Sequence, residues 1–514
     1  MINAGTMGLK RVLVVAGSDS SGGAGLEADQ RVLTAHGCYA LTATTALTAQ
    51  NTLGVQDIHV VPTEFVRKQI KAGLEDVGAD GVKIGMLAST ETAVMVAEEL
   101  KAHKVPSIIL DPVMISTSGS QLLPPDAVKA VRENLLPITT VLTPNIPEAV
   151  LLLRDSGADV KEPENMDDSI ALAKMIHQLG PKYILLKGGH LPLNAQRQKP
   201  AVDSDAAIVV DILYDGEAVT LIEAIFSRSK NTHGTGCSLA SAIAANLAGD
   251  MEIIRAVREA CRYVEAGINS STDLGKGNGP INHFHSLYSL PYAPGHFIDY
   301  VLERPDVQPV WKAFTEHDFV QKLSMGTLPV ENFKWYLVQD YLYLVHFARS
   351  NALAAYKNHT MDDIAMSAKI VLHIQHEMRL HLDYCASFGL SKEDVESSKE
   401  SLTCTAYSRY ILDIGQSGDW LALQFALAPC LLGYGAIAQR LFRAEESVRE
   451  GNHYWKWVEN YVAEDYSDAV KLGSAMLEKH SRNISPSRVE ELVQIFIRAT
   501  ELEIGFWDMG LRGE

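Results

Sequence analysis

The segment Asn231–Cys237 reads Asn-Thr-His-Gly-Thr-Gly-Cys and opens onto a predicted helix, Ser238–Ala248. A glycine-rich turn before a helix directs several backbone N–H groups, and the positive end of the helix dipole, toward one point. Such a site binds anions, and a phosphoryl group in transfer suits it best. Gly234, Thr235 and Gly236 are therefore candidate phosphoryl-binding residues. Taken alone, the pattern is equally typical of an ordinary loop whose glycines only relieve backbone strain.

A second group of polar residues follows two other predicted strands. Asp111 ends one strand, and Asn145 and Glu148 follow the next. Carboxylate and amide oxygens are the ligands that hydrated Mg²⁺ prefers beside phosphates, so we predict a metal site at these three residues. The spacing Asn-x-x-Glu is also that of a helix capping box. The local pattern favours capping for Asn145 and Glu148, and one pair of side chains can serve both purposes.

A third candidate site closes a further predicted strand. Lys187 is a cation for a nucleotide phosphate, and Gly188 and Gly189 follow it as flexible residues. The glycine-rich segment Ala16–Gly25 matches neither the P-loop nor GxGxxG, so dinucleotide binding is not expected. Polar, glycine-bearing ends on several strands of one sheet predict a small-molecule kinase that uses ATP and Mg²⁺.

Short apolar runs alternate with amphipathic stretches through the first half of the chain. Several runs are continuously apolar, which is typical of strands covered on both faces. Strand–helix alternation predicts an α/β domain with a largely parallel sheet, and ligands bind such sheets at the carboxyl ends of the strands. The predicted strands are Arg11–Ala16, Ile58–Val61, Gly81–Ile84, Ser107–Leu110, Thr139–Leu142, Tyr183–Lys187 and Ala207–Leu213.

The sequence changes character after a segment rich in glycine and proline. From about Trp311 onward helical patterns dominate and strand signals are nearly absent, so we predict a second, all-helical domain. The predicted boundaries are 8–285 for the first domain, 286–305 for a linker and 306–514 for the second. The clearest predicted helices are Val330–Tyr356, Met361–Phe388, Trp420–Arg443 and Ser487–Met509.

Composition excludes several classes of function. A chain of 514 residues is too long for one core, and its formal net charge of −18 disfavours a nucleic-acid partner because phosphate backbones bind basic surfaces. The 6 cysteines form no CxxC pair, which is typical of reduced thiols. No secretory signal is visible, and no apolar run approaches the ~18 residues of a membrane span. We therefore expect a cytoplasmic enzyme with no nucleic-acid or membrane partner.

The first half resembles the ribokinase superfamily, in particular the hydroxymethylpyrimidine/phosphomethylpyrimidine kinases of thiamine synthesis (the ThiD family). The resemblance runs from about residue 10 to 285 and implies a ribokinase-like α/β fold. The segments that carry it are Ala16–Gly25, Ala49–Thr52, Lys83–Met86, Asp111–Met114, Thr143–Asn145, Lys187–His190, Asn231–Cys237 and Gly275–Pro280.

The same resemblance implies roles for particular residues. Cys237 stands where most ribokinase relatives carry an aspartate as general base, and the helix N-terminus could make this thiol more acidic. Its role is left open. Thr117 stands where many bacterial relatives carry lysine, which leaves open the cation that meets the transferring phosphate. The residues implied to line a pyrimidine pocket are Asp29, Gln50, Met86 and Val113. The Gln50 amide offers a donor and an acceptor that match an aminopyrimidine edge.

The second half, from about residue 306 to the end, has its own candidate residues. Asp340 and Tyr343 share a helix face, and Pro429 removes a helix hydrogen bond beside Cys430. A lone cysteine in a helical bundle is ordinarily a core residue. The whole segment nevertheless resembles the thiaminase II (TenA) family in Phe314–Leu328, Phe333–Tyr343, Ala426–Cys430 and Gly505–Trp507. This resemblance implies an all-α, haem-oxygenase-like fold without haem.

Carried over from that family, Cys430 is the nucleophile that adds to a pyrimidine ring, and Glu503 is the acid/base. The residues implied to hold the ring are Asp340, Tyr343, Tyr407 and Tyr461. The chemistry is consistent, because an electron-poor aminopyrimidine must be protonated before a thiolate adds to it and expels the group on its methylene.

Together the two halves resemble the fungal bifunctional thiamine-biosynthesis proteins. This implies ATP-dependent phosphorylation of hydroxymethylpyrimidine and its monophosphate by the first domain, and hydrolysis of thiamine or aminomethylpyrimidine by the second. The expected partners are these small molecules, and the expected assembly is a homo-oligomer. Two alternatives stay open: a pyridoxal-type kinase, and a helical domain that is a catalytically silent binding or oligomerisation module.

Overall fold

The computed structural model describes residues 8–114, 124–200 and 202–513, so Thr117 lies outside the described residues. The chain divides into two compact units, Met1–Leu287 and Tyr288–Glu514. The segment that we predict as a linker includes the helix Phe297–Glu303. Phe297 and Val301 of this helix are buried in the core of the second unit, so part of the predicted linker contributes to that unit.

Within the described residues, the first unit contains a nine-stranded sheet. Its strands are β1 (Arg11–Asp19), β2 (Tyr39–Asn51), β3 (Gly54–Val60), β4 (Gly81–Ile84), β5 (Ile108–Leu110), β6 (Val141–Leu142), β7 (Tyr183–Leu186), β8 (Ile208–Tyr214) and β9 (Val219–Ile225). Their order in the sheet is β3-β2-β1-β4-β5-β6-β7-β8-β9. The six central strands, from β2 to β7 in that order, are parallel, and β3, β8 and β9 are added antiparallel at the edges.

Helices cover both faces of this sheet, and each face has its own apolar core. The central strands are continuously apolar because they are buried on both faces. The predicted α/β class is confirmed. The helices of this unit are α1 (Gly25–Ala35), α2 (Thr63–Ala72), α3 (Thr90–His103), α4 (Pro125–Ala130), α5 (Ile146–Asp155), α6 (Met166–His177), α7 (Thr235–Ala248) and α8 (Ile253–Asn269).

All seven predicted strands overlap strands of the sheet, but β2 and β9 were not predicted. β2 is built largely from alanine and threonine, which give little apolar contrast in the sequence. β9 is an edge strand with only one buried residue, Ile222, and Thr220 and Glu223 interrupt its apolar residues, so it shows no continuous apolar run.

The chain order reverses around β1, which lies between β2 and β4. In open α/β sheets a ligand crevice forms outside the carboxyl ends of the strands at such a reversal. The ends of β4, β5, β6 and β7 open onto the same edge because these strands are parallel to β1. The topology therefore brings the predicted polar strand ends together.

Every regular element described within residues 288–513 is a helix, as predicted. The four predicted helices correspond to the observed helices Val330–Lys357, Met361–Ser387, Trp420–Arg443 and Pro486–Arg512. The helices of this unit are α9 (Phe297–Glu303), α10 (Gln308–Thr315), α11 (Asp318–Ser324), α12 (Val330–Lys357), α13 (Met361–Ser387), α14 (Lys392–Ser397), α15 (Leu402–Ser417), α16 (Trp420–Arg443), α17 (Trp455–Val462), α18 (Glu464–Ser481) and α19 (Pro486–Arg512).

Helix α16 is the central helix of this unit and continues through Pro429. Contrary to the sequence prediction, it is long and apolar enough to cross a membrane by length and composition, the one such helix in the described part of the chain. Of its most apolar stretch, 78% is buried inside the protein. Burial against the neighbouring helices accounts for its apolar character.

Candidate active sites

A cavity of 740 Å³ lies at the carboxyl edge of the sheet in the first unit. It contains most of the residues predicted for this half of the chain. The exceptions are Asp29 and Gly188, which do not line it. The predicted residues that do are Gln50, Met86, Asp111, Val113, Asn145, Glu148, Lys187, Gly189, Gly234, Thr235, Gly236 and Cys237.

The first turn of α7 forms one wall of this cavity. Gly234 caps the helix in the left-handed region, at φ +81°, and has no side chain that could bond to the helix N-terminus. The first N–H groups of a helix have no intrahelical acceptor. The Thr235 N–H donates to the Thr232 carbonyl at 3.3 Å, and the N–H groups of Gly236 and Cys237 have no acceptor among the described residues, so they are free donors. A Cβ atom at Gly234 would collide with the carbonyl of Gly23. Only glycine therefore lets the two loops approach this closely.

An ion pair faces that turn. Lys187 Nζ donates to Asp111 Oδ1 at 2.8 Å and lies 3.9 Å from Glu148 Oε2. A Cβ atom at Gly236 would lie 3.2 Å from Lys187 Nζ and 3.4 Å from Asp111 Oδ2. Burial disfavours the charge of Lys187, but Asp111 and Glu148 outweigh it and raise its pKa. A charged ammonium and the helix N-terminus thus converge on one point.

Asn145 and Glu148 form a capping box at the start of α5. Asn145 Oδ1 accepts from the Glu148 backbone N–H at 2.8 Å, and Glu148 Oε2 accepts from the Asn145 N–H at 2.8 Å. The favoured capping interpretation is confirmed. Burial raises the pKa of Glu148 against the opposing effect of Lys187. Within the described residues, Glu148 Oε1 and Asp111 Oδ2 have no hydrogen-bond donor.

The described residues contain no cluster of three or more His, Cys, Asp or Glu side chains that could hold a metal ion by themselves. A magnesium ion here would therefore take most of its ligands from phosphate oxygens and water. That matches the usual chemistry of Mg²⁺, which keeps several waters and binds one or two carboxylates beside substrate phosphates. The free oxygens of Asp111 and Glu148 fit such a site.

Asp29 lies behind the cavity rather than in its lining. Its two carboxylate oxygens accept from Lys83 Nζ at 2.8 Å and from Ser241 Oγ at 2.7 Å, and it is fully buried. Burial disfavours the charge of Lys83, but Asp29 and other nearby acidic groups outweigh it, so the pKa of Lys83 is raised. Lys83 lines the cavity, so Asp29 acts on the cavity through its ion pair with Lys83.

Cys237 lies on the first turn of α7. We expected the helix N-terminus to make its thiol more acidic, but burial dominates and raises the pKa of Cys237 to about 11. The nearby Lys83 lowers this pKa and Asp29 raises it. The thiol is therefore neutral at physiological pH, which disfavours Cys237 as a general base.

The second unit brings its predicted residues together from five helices. Tyr407 Oη donates to Glu503 Oε1 at 2.8 Å. The rings of Tyr343 and Tyr407 are stacked, with centroids 4.8 Å apart. The buried Tyr343 hydroxyl makes no hydrogen bond of ordinary geometry within the described residues, although it lies close enough to Cys430 to lower the pKa of that thiol. Cys430 on α16 lies within reach of Glu503 and Tyr343, whose side chains both affect its pKa.

Burial and neighbouring acidic groups raise the pKa values of this site. Burial, with a contribution from Glu377, raises the pKa of Asp340 to about 7. Burial, with a contribution from Asp340, raises the pKa of Glu503 to about 8. Burial and these acids raise the pKa of Cys430 well above its usual value. At neutral pH, Glu503 can donate a proton and Cys430 is a thiol.

Tyr461 joins this cluster through neighbouring aromatic rings. Its centroid lies 5.1 Å from that of Tyr434 and 4.9 Å from that of Tyr466. The Tyr434 side chain lowers the pKa of Glu503 by hydrogen bonding, and Tyr466 Oη donates to the Leu431 carbonyl at 3.1 Å, next to Cys430.

Comparison with known families matches both units. The family described as "Phosphomethylpyrimidine kinase" matches residues 19–282. The "TENA/THI-4/PQQC family" matches residues 304–513. The chain belongs to the phosphomethylpyrimidine kinase family and carries a TENA domain. We refer below to Met1–Leu287 as the kinase unit and to Tyr288–Glu514 as the TENA unit.

Individual relatives span both units. A Schizosaccharomyces pombe protein named as a hydroxymethylpyrimidine/phosphomethylpyrimidine kinase is 44% identical, over 96% of this chain and 90% of its own length. Hydroxymethylpyrimidine/phosphomethylpyrimidine kinase THI20 of Saccharomyces cerevisiae is 33% identical, over 98% of this chain and 96% of its own. Among solved structures, an ADP complex of Bacillus subtilis pyridoxal kinase is 32% identical over 54% of this chain and 98% of that chain, with a TM-score of 0.47.

Several residues of the two sites were not predicted. In the kinase unit, the half-buried Asp211 accepts from the Gly188 N–H at 2.8 Å. A Cβ atom at Gly188 would collide with the Val210 carbonyl. Gly188 therefore allows its segment to pack against β8 and does not line the cavity. In the TENA unit, Glu377 and Tyr434 lie on helical stretches with no motif around them. Nothing in the sequence identifies these two residues as part of a site.

Proposed function

We propose that the kinase unit transfers the γ-phosphoryl group of ATP to the hydroxyl of 4-amino-5-hydroxymethyl-2-methylpyrimidine, and then to the monophosphate so formed. The observation that carries this proposal is the convergence of the free N–H groups of α7 and the Lys187 ammonium in one cavity. Phosphoryl transfer depends mainly on positioning and on neutralising charge, and both are supplied there.

In this proposal the residues divide by role. The N–H groups of Gly236 and its neighbours hold the transferring phosphoryl oxygens, and Lys187 neutralises their charge. Mg²⁺ would be held by Asp111 and Glu148, with Asn145 fixing the position of Glu148. When bound with ATP it would neutralise further phosphate charge. Gln50, Met86 and Val113 would contact the pyrimidine.

A competing substrate is pyridoxal, another heteroaromatic alcohol. Gln50 beside Met86 favours a pyrimidine, because the amide offers an adjacent donor and acceptor. Incubation with hydroxymethylpyrimidine, ATP and Mg²⁺ should give both the monophosphate and the diphosphate. Absence of both products would refute the kinase proposal, and a competition assay with pyridoxal ranks the two substrates.

We propose that the TENA unit hydrolyses an aminopyrimidine, either thiamine or aminomethylpyrimidine, to hydroxymethylpyrimidine. Glu503 would give its proton to the ring, and the resulting carboxylate would accept the thiol proton of Cys430 as the sulfur bonds to the ring. The group on the exocyclic methylene then leaves, and water replaces it before the sulfur departs. A cationic substrate would lower the raised pKa values of this acidic site.

The nucleophile assignment has a direct test. Cys430→Ser should abolish pyrimidine release and leave kinase activity intact. Cys404→Ser is the matched control, because the Cys404 thiol already donates to the Gln339 carbonyl at 3.7 Å and a hydroxyl can replace it. Unchanged hydrolysis in Cys430→Ser would refute the assignment, whereas absence of hydrolysis by the wild-type protein would favour a silent binding module.

The assembly and the location of the protein are also proposals. We propose a cytoplasmic homo-oligomer. Exposed apolar side chains around β2 and β3 support an interface on the kinase unit, since monomers rarely expose large apolar patches. These side chains are Leu47, Leu53, Val60 and Phe65, which are 44–66% exposed. Sedimentation velocity would test the oligomer, and microscopy of a tagged chain would test the location.

A further inference from the structure

The orientation of the Gln50 amide decides which edge of a heterocycle the kinase unit accepts. The oxygen and nitrogen of an amide have nearly the same shape, so their positions follow from the hydrogen bonds around them. One terminal atom of Gln50 lies 3.1 Å from His233 Nε2, and the other lies 3.3 Å from Thr48 Oγ1. These two neighbours fix the orientation.

His233 Nε2 cannot accept a hydrogen bond from Gln50, because it carries a hydrogen that it directs to Asp19. Its Nε2 lies 2.8 Å from Asp19 Oδ2. Three backbone N–H groups and one hydroxyl of residues 21–24 also donate to the Asp19 carboxylate, at 2.8–3.1 Å. A carboxylate with this many donors is an acceptor, so Nε2 carries a hydrogen. Burial opposes the charge, but the bonds from His233 and Ser21 lower the pKa of Asp19 to about 2.

Thr48 can only accept from Gln50. A hydroxyl has a single hydrogen, and Thr48 Oγ1 donates it to the Ser18 carbonyl at 2.8 Å. The atom of Gln50 beside Thr48 is therefore the NH₂ group, and the atom beside His233 is the oxygen. With the amide turned the other way, a donor would face a donor at His233 and an acceptor would face an acceptor at Thr48. Both neighbours select the same orientation.

The His233 ring itself is held firmly in place. Its backbone N–H donates to the Gly279 carbonyl at 3.0 Å. A Cβ atom at Gly23 would lie 2.5 Å from His233 Cδ2, so Gly23 leaves the space that the ring fills. The connected side chains of Asp19, His233, Gln50 and Thr48 are thus held in place at both ends of the series.

We propose that Asp19, His233 and Thr48 are positioning residues that lock the Gln50 amide in one orientation and so make the kinase unit selective for a 4-aminopyrimidine over its 4-oxo analogue. The inference rests on the proposed function. An aminopyrimidine edge pairs an amino donor with a ring-nitrogen acceptor, and the oxo analogue exchanges the two. The 5-hydroxymethyl group must reach the phosphoryl site, so the ring cannot turn over to compensate.

The test compares two matched pairs of variants in the full-length protein: Thr48→Val with Thr48→Ser, and His233→Leu with His233→Gln. The measurement is the ratio of kcat/KM for 4-amino-5-hydroxymethyl-2-methylpyrimidine to that for its 4-oxo analogue. Thr48→Val and His233→Leu free the amide to rotate, so each should lower the ratio about tenfold or more. Thr48→Ser and His233→Gln keep the hydrogen bonds and should keep the ratio.

The outcomes separate the inference from the function on which it rests. If the wild-type protein phosphorylates neither pyrimidine, the proposed function fails. If it prefers the aminopyrimidine and both Thr48→Val and His233→Leu keep the wild-type ratio, the lock is overturned. Should His233→Leu fail to fold, Thr48→Val decides alone, because valine has the shape of threonine and lacks only the hydroxyl.

Discussion

The two proposed active sites differ in how their buried charges are paired. In the kinase unit each buried carboxylate has a cation or a set of donors, as in Asp29 with Lys83 and Asp111 with Lys187. In the TENA unit no lysine or arginine forms an ion pair with Asp340 or Glu503 within the described ranges. His381 lies 3.6 Å from Asp340, but burial lowers its pKa and keeps the ring neutral.

This difference in charge pairing suits the reaction proposed for each site. A paired site holds its charges fixed and receives an anion, because positioning and neutralisation are what phosphoryl transfer needs. An unpaired acidic site has pKa values near neutrality, and such groups exchange protons readily. Burial of acids thus accompanies ion pairs in the kinase unit and unpaired acids in the TENA unit. Within the kinase unit Glu148 departs from this contrast, because burial raises its pKa to about 7 despite Lys187.

The largest expected effect is on stability, and it follows from removing one buried cation of the kinase unit. Lys83→Met leaves Asp29 buried and unpaired, which should destabilise this unit by ~3–5 kcal/mol. Lys10→Met breaks only the exposed pair with Asp250 and should cost ~0–1 kcal/mol. Urea unfolding followed by circular dichroism measures the loss. All 6 tryptophans lie in the TENA unit, so their fluorescence is an internal control that should not change.

The next largest effect is expected on catalysis. Lys187→Ala removes the cation beside the α7 N-terminus and should lower kcat of the kinase reaction by ~10²–10³-fold, the effect of losing one preorganised electrostatic group. Lys182→Ala is the matched control, since Lys182 is exposed at the opposite end of β7. Equal rates in the two variants would remove Lys187 from the phosphoryl site. Pyrimidine release by the TENA unit should be unaffected in both.

The pH dependence of the TENA reaction sharpens the comparison. In its proposed role Glu503 acts as an acid in its protonated form, which is fully present below its pKa of about 8 and is lost as the pH rises through that value. The kcat/KM for pyrimidine release should therefore fall about tenfold per pH unit above 8. A profile that is flat between pH 7 and 10 would contradict the assignment of Glu503 as the proton donor.

The smallest expected effect concerns Glu377. Its charge raises the pKa values of Asp340 and Cys430, so Glu377→Gln should lower both. Alkylation of Cys430 at pH 8 should then accelerate a few-fold, measured as the difference from a Cys430→Ser background. Glu393→Gln, on the exposed surface of α14, is the control. An unchanged rate would place Glu377 outside the electrostatic reach of the site.

Much of the fold was readable from the sequence because apolar periodicity and strand ends are local features. All seven predicted strands and four long helices were found, and Trp420–Arg443 matched α16 residue for residue. β2 escaped because it consists largely of threonine and alanine, which give little apolar contrast in the sequence even at buried positions such as Ala43 and Thr45.

The parts of the sites that were missed depend on contacts between distant residues. Lys83 stands inside a buried apolar strand, and nothing in the sequence tells that Asp29 lies 2.8 Å from it. The acidity expected for Cys237 followed from its helix position, but burial by other elements reversed the sign. Local sequence predicts which groups are present, whereas their charge states are set by the whole fold.

The close approach of Gly23 and Gly234 has a consequence for synthesis of the protein. One wall of the kinase cavity comes from the beginning of the chain and the other from more than two hundred residues later. At ~5–20 residues per second, the ribosome separates them by roughly 10–40 s. During that interval the glycine loop after β1 has no counterpart, so a nascent kinase unit is inactive until α7 has emerged from the exit tunnel.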